Sequence, residues 1–258
     1  MLICRFAFLL IFCTALSAGA VDLKQETIDA FNRYVATAES RIQSSYNGAL
    51  RLPDSPQMRA GAVLVEPAQG NGLLQTKGGL IQDWIGAVFI PGATLAAALA
   101  VAQDYPHHKD YYKPEVADTA LRHHDGNDFA VYMRIVKSKL FLTDVLNTEH
   151  EIHFVPLDAK RWYSIAHATR VAEVANPGKP DERELPIGKD RGLLWRMNGY
   201  WYFEEKDGGV YIQCESIALT RDVPFGMGKL FEPLIHGLPP ESLRLGLEQT
   251  RKAVLARL

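Results

Sequence analysis

The side chains best equipped for chemistry lie on one alternating stretch. Leu140, Leu142, Asp144, Leu146, Thr148, His150, Ile152 and Phe154 occupy every second position, so on a strand all of them share a face. A carboxylate, a hydroxyl and an imidazole on an otherwise apolar face each need a hydrogen-bond partner when buried. Two readings stand: satisfied polar residues of a core, or anchors for the polar end of a ligand. Pairing Phe154 with Trp162 across the intervening turn adds Ser164, Ala166, Ala168 and Arg170 to the same face. Arg170 then lies diagonally near Asp144, as an ion pair or as part of an anchor.

Other reactive side chains carry less. His107-His108 and His123-His124-Asp125 lack the spacing of metal ligands and read as solvated turns, so no metal site is expected. Glu149-His150-Glu151-Ile152-His153 has two histidines that a strand sends to opposite faces, unlike the helical zinc-protease motif. Cys214 has no neighbouring base and reads as a buried, inert thiol. No Gly-x-Ser-x-Gly elbow and no glycine-rich phosphate loop is present, which removes the motif support for hydrolase and nucleotide-binding readings. No cofactor is implied.

The elements that must position these residues are mainly strands. Seven are expected, at residues 80–90, 116–123, 129–137, 140–154, 160–174, 193–204 and 210–220. A two-residue turn at Asp207-Gly208 would pair Phe203 with Ile212, Trp201 with Cys214, Gly199 with Ser216 and Met197 with Ala218, all on one apolar face. The other face carries Tyr202, Gln213, Tyr200 and Glu215. Between the first two strands lie a short helix capped by Thr94 and a second helical segment at 106–112. Residues 175–192, rich in proline and charge, form either a solvated loop or a lid.

Helical periodicity marks both ends of the chain. After Asp22, Ile28, Phe31, Val35, Ala38 and Ile42 form a stripe that ends near Asn47-Gly48. After Pro240, Leu243, Leu247, Thr250, Val254 and Leu258 form another. Pro233 and Gly237-Leu238-Pro239-Pro240 are expected to divide this last helical region, leaving Leu230, Phe231, Leu234 and Ile235 as a short separate segment able to gate a cavity.

The N-terminal residues read differently. Arg5, the apolar run 6–16 and Ala18-Gly19-Ala20 have the form of a cleaved secretory signal, and the run is shorter than the roughly 20 residues a membrane span needs. Export would take the protein to the periplasm or beyond, with Cys214 as its one remaining cysteine and no internal disulfide. The formal charge is -2 and no basic block stands out, which argues against nucleic acid as a partner. The expected division is a signal at 1–20, a helical extension and linker at 21–78, and a main domain at 79–258.

A strand, two short helices, six antiparallel strands and a long C-terminal helix is an order that resembles the START-like (SRPBCC) superfamily. Ala97 to Tyr105 and Tyr112-Lys113-Pro114-Glu115-Val116 are similar to its two-helix segment leading into the second strand. The resemblance implies an α+β helix-grip fold, a curved seven-stranded antiparallel sheet wrapped around the C-terminal helix. In that fold sheet and helix enclose a cavity for lipids, sterols or polyketides. It implies a hydrophobic or amphipathic ligand bound by Asp144, His150, Arg170, Trp195, Met197, Trp201, Ser216, Phe231 and Leu234. Transient membrane contact is compatible with such a role, and no obligate protein partner is implied. Two alternatives remain open: a cyclase- or aromatase-like enzyme using Asp144 with His150, and a protein-interaction module docking through the N-terminal helix and the face of Tyr200, Tyr202 and Glu215.

Overall fold

The computed structural model describes the backbone of residues 21–46, 51–52, 54–139, 142–222 and 228–258, and their side chains except those of 21, 139, 142 and 228–236. The expected export signal, residues 1–20, lies outside them. Local sequence signals set most of the elements. A brief strand, β1 (Val21–Asp22), leads into helix α1 (Gln25–Tyr46). A turn of helix, α2 (Pro56–Arg59), and two short strands, β2 (Leu64–Pro67) and β3 (Leu73–Thr76), precede the long strand β4 (Gly79–Pro91). Thr94 accepts a hydrogen bond from the Ala97 amide at 3.2 Å and so starts α3 (Leu95–Ala102), as its side chain chemistry predicts. A 3₁₀ turn and α4 (His108–Tyr111) follow.

Four long strands come next: β5 (Val116–Asp125), β6 (Asp128–Lys139), β7 (Leu142–Pro156) and β8 (Arg161–Ala175). The charged loop after β8 holds two short strands, β9 (Arg183–Glu184) and β10 (Lys189–Asp190). Strands β11 (Arg196–Lys206) and β12 (Gly209–Arg221) then lead to α5 (Gly228–Leu255). The curved antiparallel sheet runs β2-β4-β12-β11-β8-β7-β6-β5, with β3 also on β4 and β9 on β8. The seven long strands are the expected ones. Strands β2 and β3 lengthen the sheet by pairing along the free edge of β4.

The last hairpin has the predicted register, Phe203 opposite Ile212 and Trp201 opposite Cys214. Its turn residues Asp207 and Gly208 both have positive φ, 54° and 75°. That is the type I′ geometry whose twist matches paired strands.

The two faces of the sheet are covered by different helices. On the grip face, Val88, Ile90, Phe203, Val210, Ile212 and Cys214 pack with Leu243, Leu247 and Val254 of α5 and with α3. On the outer face, Phe31, Ala38, Ile42 and Tyr46 of α1 pack on Ile81, Tyr200, Tyr202, Ile217 and Leu219. Tyr46 stacks on Tyr163 at 4.6 Å and on Tyr202 at 5.2 Å between ring centroids. Tyr200, Tyr202 and Glu215 are each only 2% exposed beneath this cover. The interaction-module alternative needed that face open, and α1 closes it.

Polar groups on the outer face are also paired. Arg41 Nη2 donates to Asp83 Oδ2 at 3.2 Å and to Glu215 Oε1 at 2.6 Å, while Arg51 Nη1 donates to Glu215 Oε2 at 2.5 Å. Gln213 accepts from the amides of Arg51 and Leu52 at 2.9 and 3.1 Å. The polar side of the hairpin is therefore an internal surface, its Glu215 and Gln213 satisfied by α1 and the segment after it, while the buried Tyr202 hydroxyl has no hydrogen-bond partner among the described residues.

Two expectations are corrected. Helix α5 is continuous from Gly228 to Leu255, through Pro233, Pro239 and Pro240. Proline's fixed φ suits a helix; the loss is one backbone bond and some crowding, about 3 kcal/mol each. Burial of Leu243, Leu247 and Val254 contributes about 1.5–3 kcal/mol apiece in the opposite direction. Residues 230–235 are thus part of one helix with the rest of α5, not a separate gating segment, and the side chains of Phe231 and Leu234 lie outside the described ones. His108 is not a solvated turn residue either. It is 7% exposed, bonded through Nε2 to the Val101 carbonyl at 3.2 Å, and burial pushes its pKa down to about 4.

Candidate functional site

Helix α5 packs chiefly over β4, with β2 and β12. The grip faces of β11, β8, β7 and β6 continue beyond that contact. There, in the middle of the sheet, Met133, Ala166, Met197, Gly199, Trp201 and Ser216 remain half-buried. Central strands leave side chains half-buried only where a space faces them. Gly199 shows the space directly: a Cβ built there would meet Trp201 Nε1 at 3.7 Å and Ala166 Cβ at 4.0 Å, which is ordinary contact. The floor is apolar and aromatic, the type of surface that supplies affinity for a hydrophobic molecule.

Two polar groups interrupt that floor. Thr148 donates to the Met133 carbonyl at 3.1 Å, which uses its single proton. His150 Nε2, 2.8 Å from the Thr148 oxygen, must therefore be the donor in their bond. Burial without a charge partner pushes the His150 pKa down to about 4, so the ring is neutral at pH 7.

The second group is ionic. Asp144 on β7 and Glu173 on β8 are 6% and 3% exposed. Arg191, from the loop after β10, joins them: Nη2 donates to Asp144 Oδ1 at 2.7 Å, Nε donates to Glu173 Oε1, and the backbone amide donates to Glu173 Oε2 at 3.0 Å. Desolvation and then the Glu173 charge push the Asp144 pKa up to about 7, against the pull of Arg191. Met133, Ile135, Leu146, Ala168, Val171, Leu194 and Met197 form the apolar cluster nearby. Lys137, directly opposite Asp144 across the strands, is held by Glu115 and by Ser242 at 2.9 Å.

The path of the loop fixes Arg191. Strand β10 pairs with β1, and Asp190 accepts from the Gly192 amide at 2.7 Å and from Trp195 Nε1 at 2.9 Å. Gly192 has φ 71°, and a Cβ there would sit 2.7 Å from Arg221 Cβ and 2.8 Å from the Trp195 ring. Only glycine fits this turn, and the turn delivers the guanidinium to the sheet.

The residues expected at a ligand site separate into three groups. Asp144, His150, Met197, Trp201 and Ser216 lie on the grip face, although Asp144 engages Arg191 while His150 engages Thr148, so the two form no acid–base pair. Arg170 is a correction. Glu149 pairs with Arg170 but His150 pairs with Ala168, so Thr169 is a bulge that reverses the alternation beyond it. Arg170 consequently leaves the grip face and bonds Glu184, while Val171 and Glu173 turn inward. Trp195 is a second correction, because regular pairing of β11 begins at Arg196 and the indole packs with the α1-side cluster. Phe231 and Leu234 are in the first part of α5. Arg191 and Glu173 were not anticipated: the flagged charged loop was the one sequence signal for Arg191, and regular alternation sent Glu173 to the opposite face of its strand.

Other chemistry finds no support in the arrangement. Cys214 is buried and its thiol pKa is pushed up by desolvation. Among the described residues no group of histidine, cysteine and acidic side chains could hold a metal ion, and no helix is long and apolar enough to cross a membrane.

A long strand, two short helices, six antiparallel strands with the first beside the last, and a C-terminal helix over that junction constitute the helix-grip architecture of START-like proteins. No family profile matches the chain, and no curated protein matches it. Among solved structures, a STAR-related lipid transfer protein fragment from Xanthomonas axonopodis is similar, at 14% identity, 71% coverage of this chain, 99% of that one and a TM-score of 0.48. The Zhui aromatase/cyclase from Streptomyces sp. R1128 aligns at 9% identity over 69% of this chain and 95% of that one, with a TM-score of 0.47. Human STARD10 aligns at 11% identity over 80% and 82%, with a TM-score of 0.43. The fold assignment rests on the strand order and register of the chain itself.

Proposed function

We propose that this protein binds a hydrophobic or amphipathic, lipid-like small molecule between the grip face and α5. The observation that supports the reading most is the half-buried apolar floor of Met133, Ala166, Met197, Gly199 and Trp201 at the centre of an otherwise closed sheet. Apolar walls supply affinity, and the Asp144–Arg191–Glu173 group orients a polar head. Two carboxylates around one guanidinium favour a head that donates hydrogen bonds, a hydroxyl or an amine, over a phosphate. Sequestration of a ligand needs nothing more, and no proton-transfer pair is required. The apolar run 6–16 followed by Ala18-Gly19-Ala20 supports export as the setting.

Titration of the purified protein with 1-aminoanthracene, an uncharged fluorescent probe, tests the reading. Saturable binding is expected, and Gly199→Phe, which projects a ring into the proposed space, should weaken it at least tenfold. Binding that is unchanged in Gly199→Phe would place the ligand elsewhere and end the proposal.

A further inference from the structure

The ionic group at the end of the grip-face floor holds more acid than base. Asp144 and Glu173 are both buried, and among the described residues Arg191 is the cation that bonds them. The neighbouring charges are committed elsewhere. Lys137 is held by Glu115 and Ser242, and Asp190 accepts from the Gly192 amide and from Trp195 Nε1. Arg191 is also the accessible member, its side chain 37% exposed against 8% and 2% for the two carboxylates. The guanidinium therefore covers the acids from the solvent side.

The backbone on either side of Arg191 is tied down by remote segments. Before it, Val21 and Asp22 pair with Asp190 and Lys189, and the Leu23 amide donates to the Gly188 carbonyl at 2.7 Å. A Cβ at Gly188 would lie 3.2 Å from Leu23 Cβ, so strand and turn are in close contact. After it, the Arg221 amide donates to the Gly192 carbonyl at 2.7 Å, and Arg221 Nη1 donates to the Arg191 carbonyl at 3.0 Å. An anchor held this way leaves the guanidinium little freedom to lose when it settles on the acids.

We propose that Arg191 is the specificity-determining residue of the grip site, an internal cation that reserves the polar end for uncharged heads, with β1 as the strap that keeps it there. The inference rests on the grip-face reading and names the head that the site rejects. A ligand ammonium brought to Asp144 and Glu173 meets the guanidinium at contact range, where like charges repel more strongly than they do in water. A hydroxyl or an uncharged amine meets no such repulsion and can donate to carboxylate lone pairs that Arg191 leaves free. With the guanidinium removed, the two carboxylates lose their partner, and an ammonium supplies the missing charge with up to three donors. One side chain thus sets the charge of the head the site accepts.

Displacement of 1-aminoanthracene from the full-length protein by 1-octanol and by n-octylammonium chloride tests this, at pH 8, above the Asp144 pKa of about 7. The wild type should prefer octanol. Arg191→Met keeps an unbranched apolar stem without the charge, and it should move the octylammonium-to-octanol affinity ratio at least tenfold toward the ammonium. Arg191→Lys should keep the wild-type preference. Leu23→Pro removes the donor to Gly188 ahead of α1 and leaves every member of the ionic group in place; it should move the ratio the same way by about threefold. Leu23→Pro carries the test alone should Arg191→Met fail to fold. A general loss of affinity or stability affects both competitors and cancels in the ratio. An unchanged ratio in Arg191→Met overturns the role of Arg191, and one in Leu23→Pro overturns that of the strap, with the grip-face reading left standing in both cases. No saturable 1-aminoanthracene binding by the wild type overturns the grip-face reading and this inference together.

Discussion

Both faces of one sheet carry a buried aspartate whose carboxyl is pushed up to about 7, and the two are closed in different ways. On the outer face, Asp83 and Glu215 meet two guanidinium groups, Arg41 and Arg51, under a helix whose tyrosine stacks on the sheet. On the grip face, Asp144 and Glu173 share the single Arg191, whose side chain is 37% exposed. In the first group the carboxylates are 2–4% exposed and their two arginines 22–26%; beside the second the apolar side chains stay half-buried. Matched, covered charges act as a latch that fixes α1. An unmatched, partly open group leaves electrostatic work for a ligand.

The largest expected effect tests that contrast directly. Glu215→Ala removes the carboxylate shared by Arg41 and Arg51, and breaking a buried pair by deleting one partner costs about 3–5 kcal/mol. Glu173→Ala should cost about 1–2 kcal/mol, because the half-exposed Arg191 can turn to water. Urea unfolding of both variants measures the difference. Equal losses would mean that the grip-face group is as structural as the other.

Part of this contrast was legible in the sequence. The seven long strands followed from alternation, and the last hairpin followed from Asp207-Gly208, whose turn type dictates register. Asp144 and His150 were found because polar residues repeat at every second position of an apolar strand. What failed depended on a local break in periodicity or on a distant partner. A single extra residue at Thr169 exchanged Arg170 for Glu173, and nothing in that stretch announces a bulge. Arg191 reaches Asp144 only because β10 pairs with β1, at the far N-terminal side of the described chain, Val21 opposite Asp190. The polar face of the hairpin looked solvent-facing because its partners, Arg41 and Arg51, belong to a helix and a segment remote in sequence.

An intermediate effect concerns pH. The folded-state pKa of Asp144, about 7, lies above its unfolded value near 4, so between these values the folded protein holds a proton that the unfolded chain has lost. Asp144 therefore lowers stability as pH rises from about 4 to about 7. Asp144→Asn removes that dependence: relative to wild type it should gain about 4 kcal/mol between pH 4 and pH 8. Asp83→Asn should follow the same sign with a smaller net gain at pH 8, since its loss also strips Arg41 of a partner. His150 works oppositely, its folded pKa of about 4 lying below the unfolded value, so its contribution is lost as pH falls below about 6.5. Unfolding free energies measured across this range would separate the two signs, and a flat Asp144→Asn difference would show that Asp144 is ionised at pH 4 in the folded protein.

The smallest effect decides which polar group on the grip face meets a ligand. Thr148→Val keeps the volume but leaves the His150 Nε2–H and the Met133 carbonyl without their shared hydroxyl, a loss of about 1–2 kcal/mol in urea unfolding. If the head of the ligand is oriented at Arg191, 1-aminoanthracene binding should change less than threefold, because the hydroxyl is fully engaged within the sheet and points no free group into the space. A tenfold loss would mean that the Thr148–His150 pair touches the ligand. The polar anchor would then sit at the centre of the floor instead of its charged end, and the grip face would resemble the outer one, with its ionic group serving mainly to hold a loop in place.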